Sequence, residues 1–325
     1  MRIISYVEAL NEALKQKLAA DERVFLIGQG VNSPWYVGNT ISGLTDRFGK
    51  ERIIDTPVSE NGVAGVAIGA ALAGMRPILL FPRMDFMYLA LDQIVNQAAN
   101  WRYMFGGQNS VPLTIWAIIN RGGEQAAQHS QALQSIFSHI PGLKVVAPSN
   151  PHDAKGLLIA SIDDDNPVVF IDDRWLYDTT GEVPEEIYSV PIGKGLVRCA
   201  GHDITFIANS YMTGEAVKAA NSLEKEGVAA EVIDLRSLKP MDEKLLLDSV
   251  KKTGRVVIVD GGWRTCGLAA EISAIVAEKA FKELKAPVMR VTLPDAPAPA
   301  SSSVEKAYYP DARSILKVAR EILKL

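Results

Sequence analysis

The sequence predicts an α/β protein built from two doubly wound domains, and three observations support this prediction. Helix-period and strand-like segments alternate along the chain. The length of 325 residues suits two domains better than one typical core. A polar, proline-containing stretch at residues 178–192 interrupts the alternation, which restarts after it. Strands that alternate with helices of this length favour mostly parallel sheets covered on both faces.

The first half begins with an amphipathic helix, because SYVEALNEALKQKLAAD carries apolar residues at helical spacing. VFLIG follows as a buried strand, VAGVAIGAALAGM as a helix and RPILLF as a strand. One continuous helix is predicted over MYLALDQIVNQAANWRYM. The remaining pattern gives the strands VPLTIWAII, LKVVAP and PVVFID and the helices SQALQSIFSHI and PHDAKGLLIASIDD.

The second half repeats the alternation. DITFIAN, AAEVIDLRSL, RVVIVDGG and PVMRVTLP are predicted as single strands, and four helical patterns separate or follow them. We therefore expect a first domain at residues 1–180, a linker at 181–190 and a second domain at 191–325.

Composition argues against several classes of protein. A formal net charge of -4 indicates no nucleic-acid partner. Glu8 and Glu12 lie where a signal peptide needs an apolar core. The longest apolar run, residues 63–75, is shorter than the roughly 20 residues that a membrane span requires. We expect a cytoplasmic protein that does not enter a membrane.

The common phosphate-binding and nucleophile motifs are absent. The sequence contains no G-x-x-x-x-G-K-[ST] and no G-x-S-x-G, and the glycines after Glu60 do not form G-x-G-x-x-G. A doubly wound fold without a phosphate loop of its own suggests that a partner chain supplies part of the site.

Glu60 heads a run of small and apolar residues, DTPVSENGVAGVAIGAALAG. A first-turn carboxylate is common and gains roughly 0.3–1 kcal/mol from the helix N-terminus, so the residue alone leaves a functional role open. Gly62, Gly65, Gly69 and Ala73 share one face of the same helix. Close packing within the domain and contact with another subunit explain that face about equally well.

Two further stretches are typical of a site. Phe86 follows a strand end, and ligands of α/β sheets gather outside the carboxyl ends of strands. The polar loop INRGGEQAAQHSQ contains His129, which taken alone is more often a cap or core residue than a catalyst.

Long motifs then point to one family. RIIDTPVSENGVAGVAIGAALAGMRPI, ALDQIVNQAANWRYMFGGQ, QHSQ, HIPGLKVVAPSNPHDAKGLL and EVIDLRSLKPMD resemble the beta subunit of the thiamine-diphosphate-dependent 2-oxo acid dehydrogenases, relatives of transketolase. The resemblance covers nearly the whole chain. It implies a thiamine-pyrimidine-binding domain followed by a transketolase C-terminal-type domain, assembled with alpha subunits as an α2β2 heterotetramer.

The resemblance also implies roles for particular residues. Glu60 corresponds to the glutamate that activates the cofactor aminopyrimidine, Phe86 to the aromatic residue that stacks on it, and His129 to the histidine that handles the acyl intermediate or the acceptor. An apolar setting favours the neutral form of a carboxyl group, which suits proton exchange with the pyrimidine.

Further ligands follow from the same resemblance. The GDG…N motif that holds Mg²⁺ and the diphosphate is absent here, so the alpha subunit is expected to carry it, and the chain alone is expected to be inactive. A lipoyl-bearing transacylase is a possible further partner. Family members of this type also suggest a potassium site at five positions: Leu113, Ser161, Ile162, Asp164 and Asn166.

The chain departs from the family pattern at Gln29, Leu80, Arg83, Arg121 and Gly261. These departures remove acidic residues and add two arginines near the expected substrate pocket, which favours an anionic or phosphorylated substrate. The leading prediction is decarboxylation of a 2-oxo acid with transfer of the acyl or aldehyde unit. A split transketolase-like or acyl-transferring enzyme is the alternative, and a non-catalytic scaffold subunit is a third hypothesis.

Overall fold

The structure is a computed structural model that describes residues 2–33 and 37–324. In chain order its strands are β1 (Arg2–Ser5), β2 (Val24–Gly28), β3 (Ile53–Asp55), β4 (Arg76–Phe81), β5 (Thr114–Ile119), β6 (Lys144–Val146), β7 (Val168–Asp173), β8 (Thr180–Val183), β9 (Leu196–Cys199), β10 (Ile204–Ala208), β11 (Ala230–Asp234), β12 (Ser237–Lys239), β13 (Val256–Trp263) and β14 (Met289–Leu293). The α-helices are α1 (Tyr6–Ala20), α2 (Leu44–Phe48), α3 (Glu60–Leu72), α4 (Trp101–Met104), α5 (Gln134–His139), α6 (Pro151–Asp163), α7 (Ser210–Glu224), α8 (Glu243–Thr253), α9 (Leu268–Ala280), α10 (Ser302–Tyr308) and α11 (Ala312–Leu323).

Two large sheets organise most of these elements, and β1 and β8 form a small antiparallel pair, which confirms the predicted α/β class. The larger sheet has the strand order β12-β6-β7-β5-β4-β2-β3 and is parallel except for β12. The smaller sheet has the order β14-β13-β10-β11-β9 and is parallel except for β9. Helices cover both faces of the larger sheet, as buried parallel strands require.

A shared hydrophobic core joins the two sheets. One cluster runs from Leu79 in the larger sheet through Phe137 on α5 to Ile258 and Ile272 beside the smaller sheet. The opposite face of the larger sheet has its own cluster beneath α1 and α6. The two halves of the chain therefore pack against each other through apolar surface and not only through a linker.

The strand predicted over AAEVIDLRSL is wrong as a single element. β11 ends at Asp234, Arg236 adopts a positive φ of 56°, and β12 then pairs with β6 in the larger sheet. A continuous apolar pattern cannot reveal that the chain leaves one sheet and joins another.

The predicted single helix over MYLALDQIVNQAANWRYM is also wrong. A 3-10 helix spans Met84–Ala90, a π-helix spans Asp92–Ala98, and α4 follows. Apolar periodicity does not distinguish among hydrogen bonds that skip three, four or five residues. Such irregular winding is frequent at functional sites, and here it carries Phe86.

A buried lysine fixes the segment that the sequence marks as a linker. The Lys155 Nζ donates to the Glu12 carboxylate at 2.5 Å and to the carbonyl oxygens of Pro184, Glu185 and Glu186 at 2.7, 3.1 and 2.9 Å. The lysine side chain is fully buried, so these four acceptors compensate the cost of removing its charge from water. Residues 184–186 are held against α1 and α6.

Within residues 2–33 and 37–324, every helix is too short or too polar to cross a bilayer. A cytoplasmic location stays a prediction of the sequence.

Candidate active site

A narrow pocket lies at the carboxyl ends of β2 and β4, where the α/β architecture concentrates ligand sites. Most of its wall is apolar; the lining comprises Gly28, Gln29, Thr56, Pro57, Ser59, Glu60, Val63, Leu79, Leu80, Phe81, Pro82 and Phe86. Gly28 permits the close approach of the two strands, because a Cβ there would lie 2.5 Å from the Leu80 carbonyl oxygen. The strand pair therefore requires glycine at the floor of this pocket.

Glu60 is the first residue of α3 and reaches the rim of this pocket. Ser59 precedes it as the N-cap residue but makes no side-chain capping bond. Backbone N–H groups at a helix N-terminus have no partner inside the helix. The Glu60 carboxyl group therefore lies at a helix N-terminus and also beside the mostly apolar walls of the pocket. Within its own chain it is partly exposed.

The structure brings Phe86 and His129 together. Their rings meet edge to face, with centroids 5.4 Å apart and planes at 87°. Phe86 also lines the pocket that contains Glu60. The three residues that the resemblance singles out, from α3, a 3-10 helix and a long loop, thus converge on one place.

Asp85 supports this arrangement, although the sequence analysis did not single it out. Its side chain is buried, and its Oδ1 accepts a hydrogen bond from the Gln131 N–H at 3.1 Å. Burial raises the pKa of the Asp85 carboxyl above its ordinary value. A carboxylate within the apolar run MDFMYLA was the available signal. Asp85 ties the segment of Phe86 to the loop of His129.

Gln29 and Arg83 take different positions around the pocket. Gln29 is part of the lining beside Gly28. Arg83 points towards the loop of His129, because its Nη2 lies 3.5 Å from the Gln125 Oε1 in that loop. Its Nη1 donates to the Pro82 carbonyl at 2.8 Å. A role for either residue in binding substrate stays a prediction.

Arg121 lies in the contact between the two sheets. It is buried, and its Nη2 forms an ion pair with the Asp173 carboxylate at 2.9 Å. Its Nη1 donates to the Gly261 carbonyl oxygen at 3.2 Å. A Cβ on Gly261 would lie only 2.4 Å from that Nη1. The two family departures, Arg121 and Gly261, are therefore coupled, because the guanidinium fills the space that a side chain at 261 would need.

The positions predicted for potassium lie together, but protein groups already use several of their oxygens. The Ile162 and Asp164 carbonyls accept from the Arg76 Nη1 at 3.1 and 3.2 Å, and the Asp164 carboxylate pairs with Lys144. Three further contacts involve the remaining positions: Val168 N–H to the Leu113 carbonyl, the Ser161 hydroxyl to the Leu157 carbonyl, and Arg102 to the Asn166 side chain. Cationic side chains already balance this cluster, so these residues do not form a ready cation cage. Potassium stays a prediction.

Asp172, next to Asp173 at the end of β7, is fully buried. Its Oδ2 accepts from the Trp116 indole at 3.0 Å and from the Tyr177 hydroxyl at 2.8 Å. Burial raises the pKa of Asp172 to about 7 despite these two hydrogen bonds. The charged or titratable groups that face it are Asp173, Arg174, Tyr177 and Tyr6.

Replacement of this acid gives a pH-dependent prediction. The pKa of Asp172 in the folded state exceeds its ordinary value of 3.8, so stability falls as pH rises from about 4 to about 7 and then levels off. Asp172→Asn mimics the protonated acid and removes this dependence. We expect the melting temperature of the variant to exceed that of the wild type by a margin that grows between pH 5 and pH 7.5. A constant margin, measured by calorimetry, would contradict the assignment.

Comparison with known proteins identifies the family. The profile of the transketolase pyrimidine-binding domain matches residues 2–179, and that of the transketolase C-terminal domain matches residues 193–315. The acetoin:2,6-dichlorophenolindophenol oxidoreductase subunit beta of Bacillus subtilis (strain 168) is 43% identical, over 99% of this chain and 98% of the relative. The chain belongs to the beta-subunit family of the 2-oxo acid dehydrogenases.

Other members of this beta-subunit family carry the names of different 2-oxo acid dehydrogenases. The pyruvate dehydrogenase E1 component subunit beta of Rickettsia felis is 40% identical over 98% of both chains. The 2-oxoisovalerate dehydrogenase subunit beta of Bacillus subtilis (strain 168) is 39% identical over 99% of both. A solved structure described as a split gene transketolase, inactive beta4 tetramer, shares the fold with a TM-score of 0.80, 23% identity and 99% coverage of both chains.

The small-residue face of α3 points away from its own domain. Gly62, Gly69 and Ala73 are exposed and Gly65 is half-buried, so packing within the domain does not account for them. Large apolar side chains lie exposed on α3, just before it and on the 3-10 helix packed against it: Val58, Val66, Tyr88 and Leu89. We call this group, with the small-residue face of α3, the α3 surface.

Proposed function

We propose that this chain is the beta subunit of a thiamine-diphosphate-dependent enzyme that decarboxylates a 2-oxo acid and transfers the acyl or aldehyde unit to an acceptor. The observation that carries the proposal is the convergence of Glu60 and Phe86 on one pocket, with His129 in edge contact with Phe86. A scaffold subunit would not need an acid, a flat ring and an imidazole at the same place.

The lining of the pocket suits one end of the cofactor in its chemistry. Its walls are mostly apolar and its rim carries one carboxyl group, as an aminopyrimidine ring requires. Among the described residues, its lining contains no lysine or arginine, and the sequence lacks a phosphate loop. We therefore assign the diphosphate and its Mg²⁺ to an alpha subunit with a GDG…N motif.

Three residues of this chain serve the reaction. Thiamine diphosphate, when bound, would supply the nucleophilic carbon and the electron sink that decarboxylation of a 2-oxo acid needs. The Glu60 carboxyl group holds and exchanges a proton at a pyrimidine nitrogen, which favours the tautomer that acts as a base. Phe86 offers a flat apolar surface for the ring, and His129, in edge-to-face contact with Phe86, can exchange a proton with the acyl unit or the acceptor.

The alternative of an anionic or phosphorylated substrate rested on two arginines. Asp173 already compensates the charge of Arg121, so only Arg83 still supports that alternative. We therefore favour an uncharged or small acyl acceptor, such as the lipoyl group of a transacylase.

The proposal is tested by reconstitution. The chain is co-expressed with an alpha subunit that carries GDG…N, and the complex is supplied with thiamine diphosphate, Mg²⁺ and a panel of 2-oxo acids. We expect reduction of 2,6-dichlorophenolindophenol by the pair and by neither chain alone. Acylation of a free lipoyl domain then identifies the acceptor. Ketol transfer between sugar phosphates would favour the split transketolase, and no turnover on either panel would favour a scaffold.

The α3 surface is our proposed contact with the alpha subunit, because close approach of helices requires small residues. Gly69 offers a clean test, since a Cβ there meets no atom of the described residues within 4 Å. Gly69→Leu is expected to leave the melting temperature of the isolated chain unchanged or higher, yet to prevent co-elution with the alpha subunit in size-exclusion chromatography. Gly214→Leu, at an equally open helical glycine on α7, is the matched control. Co-elution of the Gly69→Leu variant would refute this contact.

A further inference from the structure

We propose that Glu305, on α10 of the C-terminal half, is a positioning residue that holds His129 against Phe86. It acts through the histidine loop, which we define as residues 121–131. This inference rests on the proposed function, because it concerns how the same site is held in place. Neither the sequence motifs nor the family resemblance singled out Glu305 or its contact with this loop.

The backbone of the histidine loop needs external support. Gly122, Gly123, Glu124 and Ala126 all have positive φ, at 73°, 63°, 62° and 58°. Glycine adopts this conformation freely, but it is sterically unfavourable for Glu124 and Ala126. Such a conformation persists only where surrounding contacts hold it. Within the loop, the His129 N–H reaches the Ala126 carbonyl only at 3.5 Å. This is the one backbone hydrogen bond within residues 121–131, all of which the structure describes, so the loop depends on contacts with other elements.

A reciprocal pair of hydrogen bonds from α10 supplies the support. The Glu305 Oε2 accepts from the Glu124 N–H at 3.3 Å. In return, the Glu124 Oε1 accepts from the Ser302 N–H at 3.1 Å, in the first turn of α10. Both bonds fall on Glu124, one of the two strained residues. They fix the middle of the loop to the C-terminal half of the chain.

The two ends of the loop are fixed independently. Arg121 pairs with Asp173 at 2.9 Å at one end, and the Gln131 N–H donates to Asp85 at 3.1 Å at the other. His129 lies between the Glu124 contact and the Asp85 contact. Without the Glu124 contact, the strained part of the loop loses both of its hydrogen bonds to α10, and we expect His129 to leave the Phe86 edge.

Burial makes Glu305 unusual for a surface helix. Its side chain is 6% exposed, and its Oε1 is among the buried atoms without a hydrogen-bond partner in the described part of the chain. Burying a carboxylate with incomplete hydrogen bonding is costly. The hydrogen bond that its side chain accepts comes from the backbone of the histidine loop. A buried carboxylate that binds this loop is what a positioning role requires.

The test compares two variants in the reconstituted complex. Glu305→Gln keeps an oxygen that accepts from the Glu124 N–H, whereas Glu305→Ala removes it. Hydrogen–deuterium exchange is followed in peptides that cover residues 122–130. We expect exchange about tenfold faster in Glu305→Ala and within about twofold of wild type in Glu305→Gln. Transfer of the acyl unit to the acceptor should fall about tenfold or more in Glu305→Ala, while dye reduction, which bypasses the acceptor, changes less than threefold.

Ser302→Pro provides a second route if Glu305→Ala does not fold. Proline is tolerated at the first helical residue, and the preceding Ser301 already has the extended conformation (φ -85°, ψ 126°) that proline demands. The variant removes the N–H that binds Glu124 and leaves Glu305 in place. We expect faster exchange in residues 122–130 and the same selective loss of acyl transfer. Wild-type exchange in both Glu305→Ala and Ser302→Pro would overturn the inference. Because exchange is measured without substrate, this outcome is separate from a failure of the proposed reaction.

Discussion

Glu60→Gln is expected to lower kcat of the reconstituted complex by about 10²–10⁴-fold, the usual contribution of a positioned general acid or base. Glutamine fills nearly the same volume and can still form a hydrogen bond at the pocket rim, but it cannot give up or take a proton. Assembly with the alpha subunit and cofactor binding should survive. The change therefore separates proton exchange from packing, and the decisive measurement is steady-state dye reduction with saturating thiamine diphosphate.

A matched control exists in the same chain. Glu243 is also the first residue of a helix, α8, and lies outside the pocket. Glu243→Gln should change the free energy of unfolding by less than about 1 kcal/mol, as for any first-turn carboxylate, and leave kcat unchanged. If Glu60→Gln retains more than half of the wild-type kcat, Glu60 is an ordinary helix-start residue and the proposed mechanism is wrong.

The second large effect concerns stability. Arg121→Met is expected to lower the free energy of unfolding by about 3–5 kcal/mol, because it leaves the Asp173 carboxylate buried without its cation. Asp173 is fully buried and Arg121 nearly so. Burial raises the pKa of Asp173 even though Arg121 opposes that shift. Chemical denaturation of the isolated chain measures the loss.

A double variant shows whether the pair acts as a unit. Asp173→Asn keeps the oxygen that accepts from the Trp175 N–H while it removes the charge. In Arg121→Met/Asp173→Asn neither position carries a charge, so most of the lost stability should return. A different result is expected if Arg121 binds an anionic substrate. Arg121→Met would then raise KM strongly, and Asp173→Asn would not restore it. A raised KM that Asp173→Asn does not restore would support the hypothesis of a phosphorylated substrate.

The sequence predicted the architecture well, because buried parallel strands and amphipathic helices have clear periods. It predicted the convergence of Glu60, Phe86 and His129 only through resemblance to a family. Local patterns leave each of the three open to an ordinary structural role. Their proximity depends on the carboxyl ends of strands far apart in the chain, which no short pattern encodes.

The sequence does not show which charged side chains are paired with each other in the folded protein. Arg121 looked like an added positive charge near the substrate, but its partner Asp173 is 52 residues away along the chain and lies at the end of another strand. The loss of an acidic residue at 261 and the gain of Arg121 were counted as two separate changes. In the structure they share one space. Pairing of buried charges requires three-dimensional neighbours, so composition near a motif cannot supply it.

Because β12 pairs within the larger sheet, this protein cannot be cut into two independent halves near residue 190. β12 comes from the C-terminal half of the chain but covers the outer edge of β6. A fragment that stops near residue 190 would keep the pairing of β6 with β7 but leave the other edge of β6 without a partner, and exposed strand edges recruit other chains. Expression of the N-terminal half alone should therefore yield aggregates, and a soluble minimal pyrimidine-binding fragment would need residues 237–239 attached by a new connection.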